Sequence, residues 1–336
     1  MRRSTFEQAL EETALRRRNL LLGNGFSISA SDRFSYRSLY EEAFPREEDA
    51  HVRGVFERLG THDFEAVARA LSVALDVVSG YPEVDRVVEA ISADRDQLGQ
   101  RLIRVLTATH PNLPSELTEQ EYQRSGTFLG HFRRAGQQPM AGAIYTTNYD
   151  LLLYWTLMRN HGDLQSRDGF GGAPLKWLAA DQSVFYLHGA LHFFADDDGE
   201  VTKLVYGRPL IDQIAAQLDG GRLPLFVSEG TTEQKVARIN GNPYLRAALD
   251  GFEEVCRDRD SAMFVFGHSL SAVDRHIVQP IATGSLTTLY VATVDPAREG
   301  GRFAAMEAEW NEARREVGGD EIEIVIFNAL DTHVWR

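Results

Sequence analysis

Three shortages bound what this chain can do. The first is cysteine: Cys256 stands alone among 336 residues, so neither an internal disulfide nor a multi-cysteine zinc site can be built. The second is positive charge. Lys and Arg number 35 against 49 Asp and Glu, a formal net charge of −14, whereas a surface that tracks nucleic-acid phosphates needs a basic excess. The one compact basic run, Arg16-Arg17-Arg18, falls in an amphipathic opening segment and reads as a solvated helix face. The third is long apolar sequence. Met1 to Leu15 is charged, Leu20 to Leu22 is too short for a signal core, and no stretch has the length to cross a bilayer. A soluble cytoplasmic protein with no direct nucleic-acid partner and no membrane partner is the expectation.

What is present is a chain 43% hydrophobic, enough for one large domain with insertions or for two domains. Phe6 to Arg18 reads as a helix and Asn19 to Leu22 as a buried strand. From about Ser38 to Gly136 the pattern turns to charged amphipathic helices, such as Phe64 to Val78 and Asp94 to Leu106. This is expected to be a helical insertion (38–136). Further strands are expected at Ala143–Thr146, Val184–Leu187, Thr202–Tyr206, Ala262–Phe266, Thr288–Val294 and Ile322–Asn328. Helices are expected at Leu151–Met158, near Tyr244–Cys256, and across Ala304–Val317. Gly220 to Gly241 reads as a loop, and 195–245 as a smaller insertion. Strands alternating with helices indicate an α/β fold, a Rossmann-like doubly wound parallel sheet, here a single domain over 1–336 with the large helical insertion inside it.

Four short pieces follow apolar runs, and so belong at the carboxyl ends of buried strands, where open parallel sheets place ligands. In Gly23-Asn24-Gly25-Phe26-Ser27, two glycines let the backbone turn sharply and approach a diphosphate, with Ser27 as a hydroxyl for phosphate or ribose. The third glycine of the dinucleotide fingerprint is missing, and an ordinary strand-to-helix turn accounts for the piece equally well. In Thr146-Thr147-Asn148-Tyr149-Asp150, Asn148 can both donate and accept hydrogen bonds to a ribose hydroxyl or a water, while Asp150 suits holding the loop or capping the next helix. His188, in Leu187-His188-Gly189, can take a proton near neutral pH, with Gly189 leaving room beside the ring. A buried histidine tied to a carbonyl is the competing account. Gly267-His268-Ser269-Leu270-Ser271, with Asp274 behind it, could surround a ribose or phosphate, or Ser271 could cap a helix. Asp196-Asp197-Asp198 reads as a solvated turn rather than a cation site, and no Gly-x-Ser-x-Gly elbow is present.

Taken in order, these pieces resemble the motifs of the sirtuin-like superfamily: a glycine-rich turn ending in serine (Gly23, Gly25, Ser27), Thr-x-Asn-x-Asp (Thr146, Asn148, Asp150), His-Gly (His188, Gly189) and a late Gly-x-Ser (Gly267, Ser269). The resemblance is greatest to an uncharacterised bacterial sirtuin-like family. Its members carry stretches similar to Phe34-Ser35-Tyr36 and to Phe226-Val227-Ser228-Glu229-Gly230-Thr231-Thr232-Glu233-Gln234-Lys235.

The resemblance implies a Rossmann-like fold that binds NAD as substrate, with Asn148 and His188 at the centre of the reaction. Gly23, Asn24, Gly25, Phe26, Ser27, Thr147, Asp150, Gly189, Gly267, His268, Ser269 and Asp274 would form the binding site, with no metal. Deacylating sirtuins carry a four-cysteine zinc module that this chain lacks. Relatives without it are often NAD-degrading effectors of bacterial defence against phage, oligomeric and switched on by a partner or small ligand. The expectation is therefore an NAD glycohydrolase yielding nicotinamide and ADP-ribose, a homo-oligomer with a possible activating partner protein. A non-catalytic sensor of NAD or ADP-ribose is the alternative, and a protein deacylase ranks last.

Overall fold

The computed structural model describes residues 1–45, 50–133, 136, 141–205, 208–227 and 231–336. Its strands are β1 (Arg2–Arg3), β2 (Arg17–Leu22), β3 (Ala141–Thr146), β4 (Phe170–Gly171), β5 (Leu175–Trp177), β6 (Val184–Tyr186), β7 (Phe193–Ala195), β8 (Val201–Lys203), β9 (Ser261–Phe266), β10 (Thr288–Thr293) and β11 (Glu323–Asn328). Seven form one sheet in the order β1-β11-β10-β9-β2-β3-β6. Every pairing in it is parallel. The fold is Rossmann-like α/β. Strands β2, β3 and β6 run outward on one side, and the chain then crosses back to start β9 on the other flank of β2. The switch point thus lies between β2 and β9, where doubly wound sheets open a crevice beyond the strand ends.

Continuous apolar runs explain this sheet. Leu20–Leu22, Ile144–Tyr145, Met263–Val265 and Ile324–Ile326 are almost fully enclosed, as strands covered by helices on both faces must be. A second, antiparallel sheet of order β4-β5-β8-β7 flanks the β6 edge. Among the described residues, no helix is long and apolar enough to cross a membrane.

The insertion between β2 and β3 is helical, including Tyr36–Ala43, Ala50–Leu59, Phe64–Val78, Asp85–Thr109 and Glu119–Gly130. The helix Phe64–Val78 matches its periodicity: Phe64, Val67, Ala68, Leu71 and Leu75 form its buried face, and the Asp63 carboxylate caps its first amides.

Several boundaries differ from the sequence reading. The opening helix ends at Glu12, and Arg17 and Arg18 belong to β2. The basic run is not a solvated helix face. Arg18 donates to the carbonyls of Leu10, Thr13 and His131, and Arg16 to those of Arg259 and Ser261. Gly220 to Gly241 is not simply a loop, for Thr232–Asn240 is a helix started by a Thr231/Gln234 capping box. The strand expected at Thr202–Tyr206 is Val201–Lys203, and Tyr206 lies outside the described residues.

Candidate functional site

A cavity of about 640 Å³ opens along the carboxyl edge of the sheet, within the usual range for ligand sites. Its wall takes Gly25 from the turn after β2, Asn148 from the turn after β3, His188 from beyond β6 and His268 from beyond β9. Glu65 and Leu106 of the helical insertion line it as well, as do Val334 and Trp335. The insertion therefore supplies part of the cavity wall.

The glycine turn is fixed by close approach of two backbones. Gly23 N–H donates to Phe266 O and Gly25 N–H to Gly267 O, both at 2.9 Å. A Cβ on Gly25 would lie 2.5 Å from Gly267 Cα, and one on Gly23 2.5 Å from His268 Cα. These glycines are needed because the loops after β2 and β9 cross in contact, whatever they hold. The amides expected to clasp a diphosphate are engaged: Phe26 N–H donates to Gly23 O and Ser27 N–H to Asn24 O. Phe26 and Ser27 are fully buried and stand behind the wall. Phe26 packs on Trp335, whose Nε1 donates to the Phe26 carbonyl.

Asn148 and Asp150 meet Ser27 in one buried network. Ser27 Oγ donates to Asp150 Oδ2, and Asp150 Oδ1 accepts from Leu152 N–H at 2.9 Å at the start of the helix Leu152–Arg159. Asp150 thus holds the loop and the helix. Asn148 Nδ2 donates to Gly23 O and to Ser27 Oγ, each at 3.0 Å. Both amide hydrogens are used, so the group Asn148 offers a ligand is the acceptor Oδ1. Thr147 also lines the cavity, and its N–H donates to Leu22 O.

Gly189 plays a different part from the one expected. At φ +80 its missing Cβ would lie 2.0 Å from Leu225 O, and the segment pairs with Phe226. The glycine admits a neighbouring strand-like backbone and leaves no substrate space. Ser271 makes no side-chain cap, which removes that competing account. Ser269 and Asp274 both line the cavity.

His188 ends in a charged corner that the motifs signalled only in part, through His268 and Asp274. Its Nε2 lies 2.8 Å from His276 Nε2 and 4.0 Å from Asp274 Oδ1. Asp274 Oδ1 also accepts from Lys235 Nζ at 2.8 Å, and Asp274 Oδ2 is 3.3 Å from His268 Nε2. Lys235 Nζ donates in addition to Glu65 Oε2 at 2.8 Å. Every member is largely enclosed, so the charges persist only by mutual compensation. Burial alone would raise the Asp274 carboxyl, but His268 Nε2 beside it and the neighbouring His188 and Lys235 outweigh this and hold it well below the carboxylate range. Burial would lower Lys235, yet Glu65 and Asp274 hold it up at about 12. Burial raises Glu65. It pushes His188 well below its usual value, and His276 down to about 4. Both rings are neutral at pH 7.

His188, Asp274 and His276 present atoms within 4.8 Å of one another, close enough to consider a metal. The donor set does not suit one. The Lys235 ammonium already sits on one Asp274 oxygen and His268 Nε2 beside the other, so a cation would have to enter beside a buried positive charge.

Comparison with known families adds kinship. The chain belongs to a family described as a domain of unknown function, DUF4917. The match covers residues 20–335, from within β2 to the tryptophan beneath Phe26, and includes the cavity lining except Arg336. No curated protein matches the chain.

Glu65, Lys235 and His276 were missed from sequence. Lys235 ends the stretch that begins at Phe226, of which Ser228, Glu229 and Gly230 lie outside the described residues. Phe226 and Val227 back the site: Val227 N–H donates to His188 O.

Proposed function

We propose that this protein is an NAD glycohydrolase of the sirtuin-like kind, cleaving NAD to nicotinamide and ADP-ribose, with oligomerisation and an activating partner as further parts of the same reading. The observation that carries it is the convergence of Asn148, His188, Gly267 and Ser269 on one cavity at the switch point of a Rossmann-like sheet. In this reaction the bond between the anomeric carbon and the nicotinamide nitrogen breaks, and the leaving nitrogen keeps the bonding pair. Positive charge develops on the ribose as it leaves. A water oxygen forms the new bond to that carbon, and its proton is released. Asn148 Oδ1, held by Gly23 and Ser27, accepts a hydrogen bond from that water or from a ribose hydroxyl. His188, neutral because buried, takes the proton. Asp150 and Asp274 shape the pocket without touching the reacting atoms. A role in defence against phage belongs to the same proposal and rests on the motif resemblance.

The test is to incubate the purified protein with NAD and follow free nicotinamide by chromatography. Release that disappears in His188→Ala and in Asn148→Ala supports the proposal, and both variants hydrolysing NAD at the original rate would end it. Two observations favour the sensor alternative: His188 is only 1% exposed, and the turn amides are already engaged. Calorimetry showing NAD or ADP-ribose bound without turnover would select it.

A further inference from the structure

His276 enters the site from the helix Arg275–Thr283, and nothing in the proposed reaction uses it. Its Nε2 faces His188 Nε2 at 2.8 Å. Two neutral imidazoles in that arrangement share a single hydrogen, so one ring must donate and the other accept. The surroundings decide which. Asp274 Oδ1 is 4.0 Å from His188 Nε2, nearer than Asp274 comes to a His276 nitrogen, which is within 4.8 Å, and a carboxylate lowers the energy of the N–H placed closer to it. Lys235 is the opposing cation, but its ammonium is bound to that same oxygen and to Glu65. His268 turns its own Nε2 to the other Asp274 oxygen, its Nδ1 accepting from Leu270 N–H. In the arrangement with the hydrogen on His188, His276 carries its own N–H at Nδ1, which is buried without a partner, a cost that the Asp274 carboxylate beside His188 Nε2 outweighs. The hydrogen belongs on His188 Nε2.

We infer that His276 is a positioning residue: by accepting a hydrogen bond from His188 Nε2–H it fixes the His188 tautomer whose bare Nδ1 meets the substrate. His188 Nδ1 has no partner among the described residues, and the small exposed part of His188 lines the cavity. His276 thereby selects the nitrogen that takes the proton without approaching the ribose itself. This rests on the reading of His188 as proton acceptor, but the tautomer can be measured without any reaction.

The protein labelled with nitrogen-15 histidine is examined by long-range proton–nitrogen correlation at pH 7, with the His188 signals identified by their loss in His188→Gln. The expected wild-type pattern is a protonated Nε2 and a bare Nδ1. His276→Leu is expected to give mixed or reversed His188 tautomers, and His276→Gln, which keeps an acceptor oxygen, to restore the wild-type pattern. A wild-type His188 protonated at Nδ1 overturns the inference, and this requires no variant to fold. An unchanged tautomer in folded His276→Leu overturns it too. With NAD, His276→Leu is expected to lose on the order of 10²-fold in kcat with KM little changed, His276→Gln recovering most of it. Unchanged kcat in His276→Leu overturns the inference. A wild type that shows the expected tautomer and releases no nicotinamide ends the hydrolase reading and leaves the His276 assignment standing.

Discussion

Two parts of the cavity wall solve opposite problems. At the crossing of the loops after β2 and β9 there is no charge, and side chains are excluded outright: Gly23, Gly25 and Gly267 let two backbones touch. At the corner formed by Glu65, Lys235, Asp274 and the histidines, side chains are everything, and each charge is tolerable only beside its partner. The first is a steric constraint that one added carbon breaks. The second is an electrostatic balance that one removed atom group breaks. The first comes from residues adjacent to strands, whereas the second joins the insertion, the helix Thr232–Asn240 and the segment after β9.

The difference can be tested in order of expected effect. Lys235→Met, similar in length and without charge, leaves Glu65 and Asp274 facing each other in a buried site. We expect a loss of about 3–5 kcal/mol in urea unfolding. Adding Glu65→Gln is expected to return part of it. If Lys235→Met costs less than about 1 kcal/mol, the corner is solvated and the balance is not as described.

Gly267→Ala places a Cβ 2.6 Å from Gly25 Cα at φ +72. Overpacking and the left-handed backbone together make a loss of about 2–4 kcal/mol the expected outcome. Unlike the Lys235 case, no second substitution at the charged corner should relieve it. Recovery by Glu65→Gln would show that the two walls are coupled after all.

The third effect, small near neutral pH and growing only as pH falls, is on acid stability. His276 has its folded value pushed down to about 4 by burial, against about 6.5 in an unfolded chain. The unfolded state therefore binds more protons between those values, and stability falls as pH drops from about 6.5 toward 4, being fully present above that window. His188 acts in the same direction. The urea midpoint should fall across this window in the wild type and less steeply in His276→Gln. Equal slopes would place the proton uptake elsewhere.

Much of the sheet could be read from sequence because its strands are unbroken apolar runs followed by glycine or small polar residues. That pattern located the ends of β2, β3, β6 and β9. It failed at Arg17, where a charged residue opens a strand, and at Thr232–Asn240, where flanking glycines and Pro243 hid a helix whose Thr231/Gln234 box was visible. Gly189 was legible as a special position but was given the wrong neighbour. Glu65 sits in the first turn of a helix capped by Asp63, where an acid is unremarkable, so its sequence context gave no sign of a buried partner.

The sequence alone determined the alternation of strands and helices, the turns at the strand ends, and the absence of a cysteine zinc site, since these depend on local composition and period. Only the tertiary structure decided that Gly25 must clear Gly267, that Gly189 must clear Leu225, and that Lys235 must lie between Glu65 and Asp274. Those facts depend on distances between segments separated by tens to hundreds of residues, and no local pattern encodes a distance across the fold.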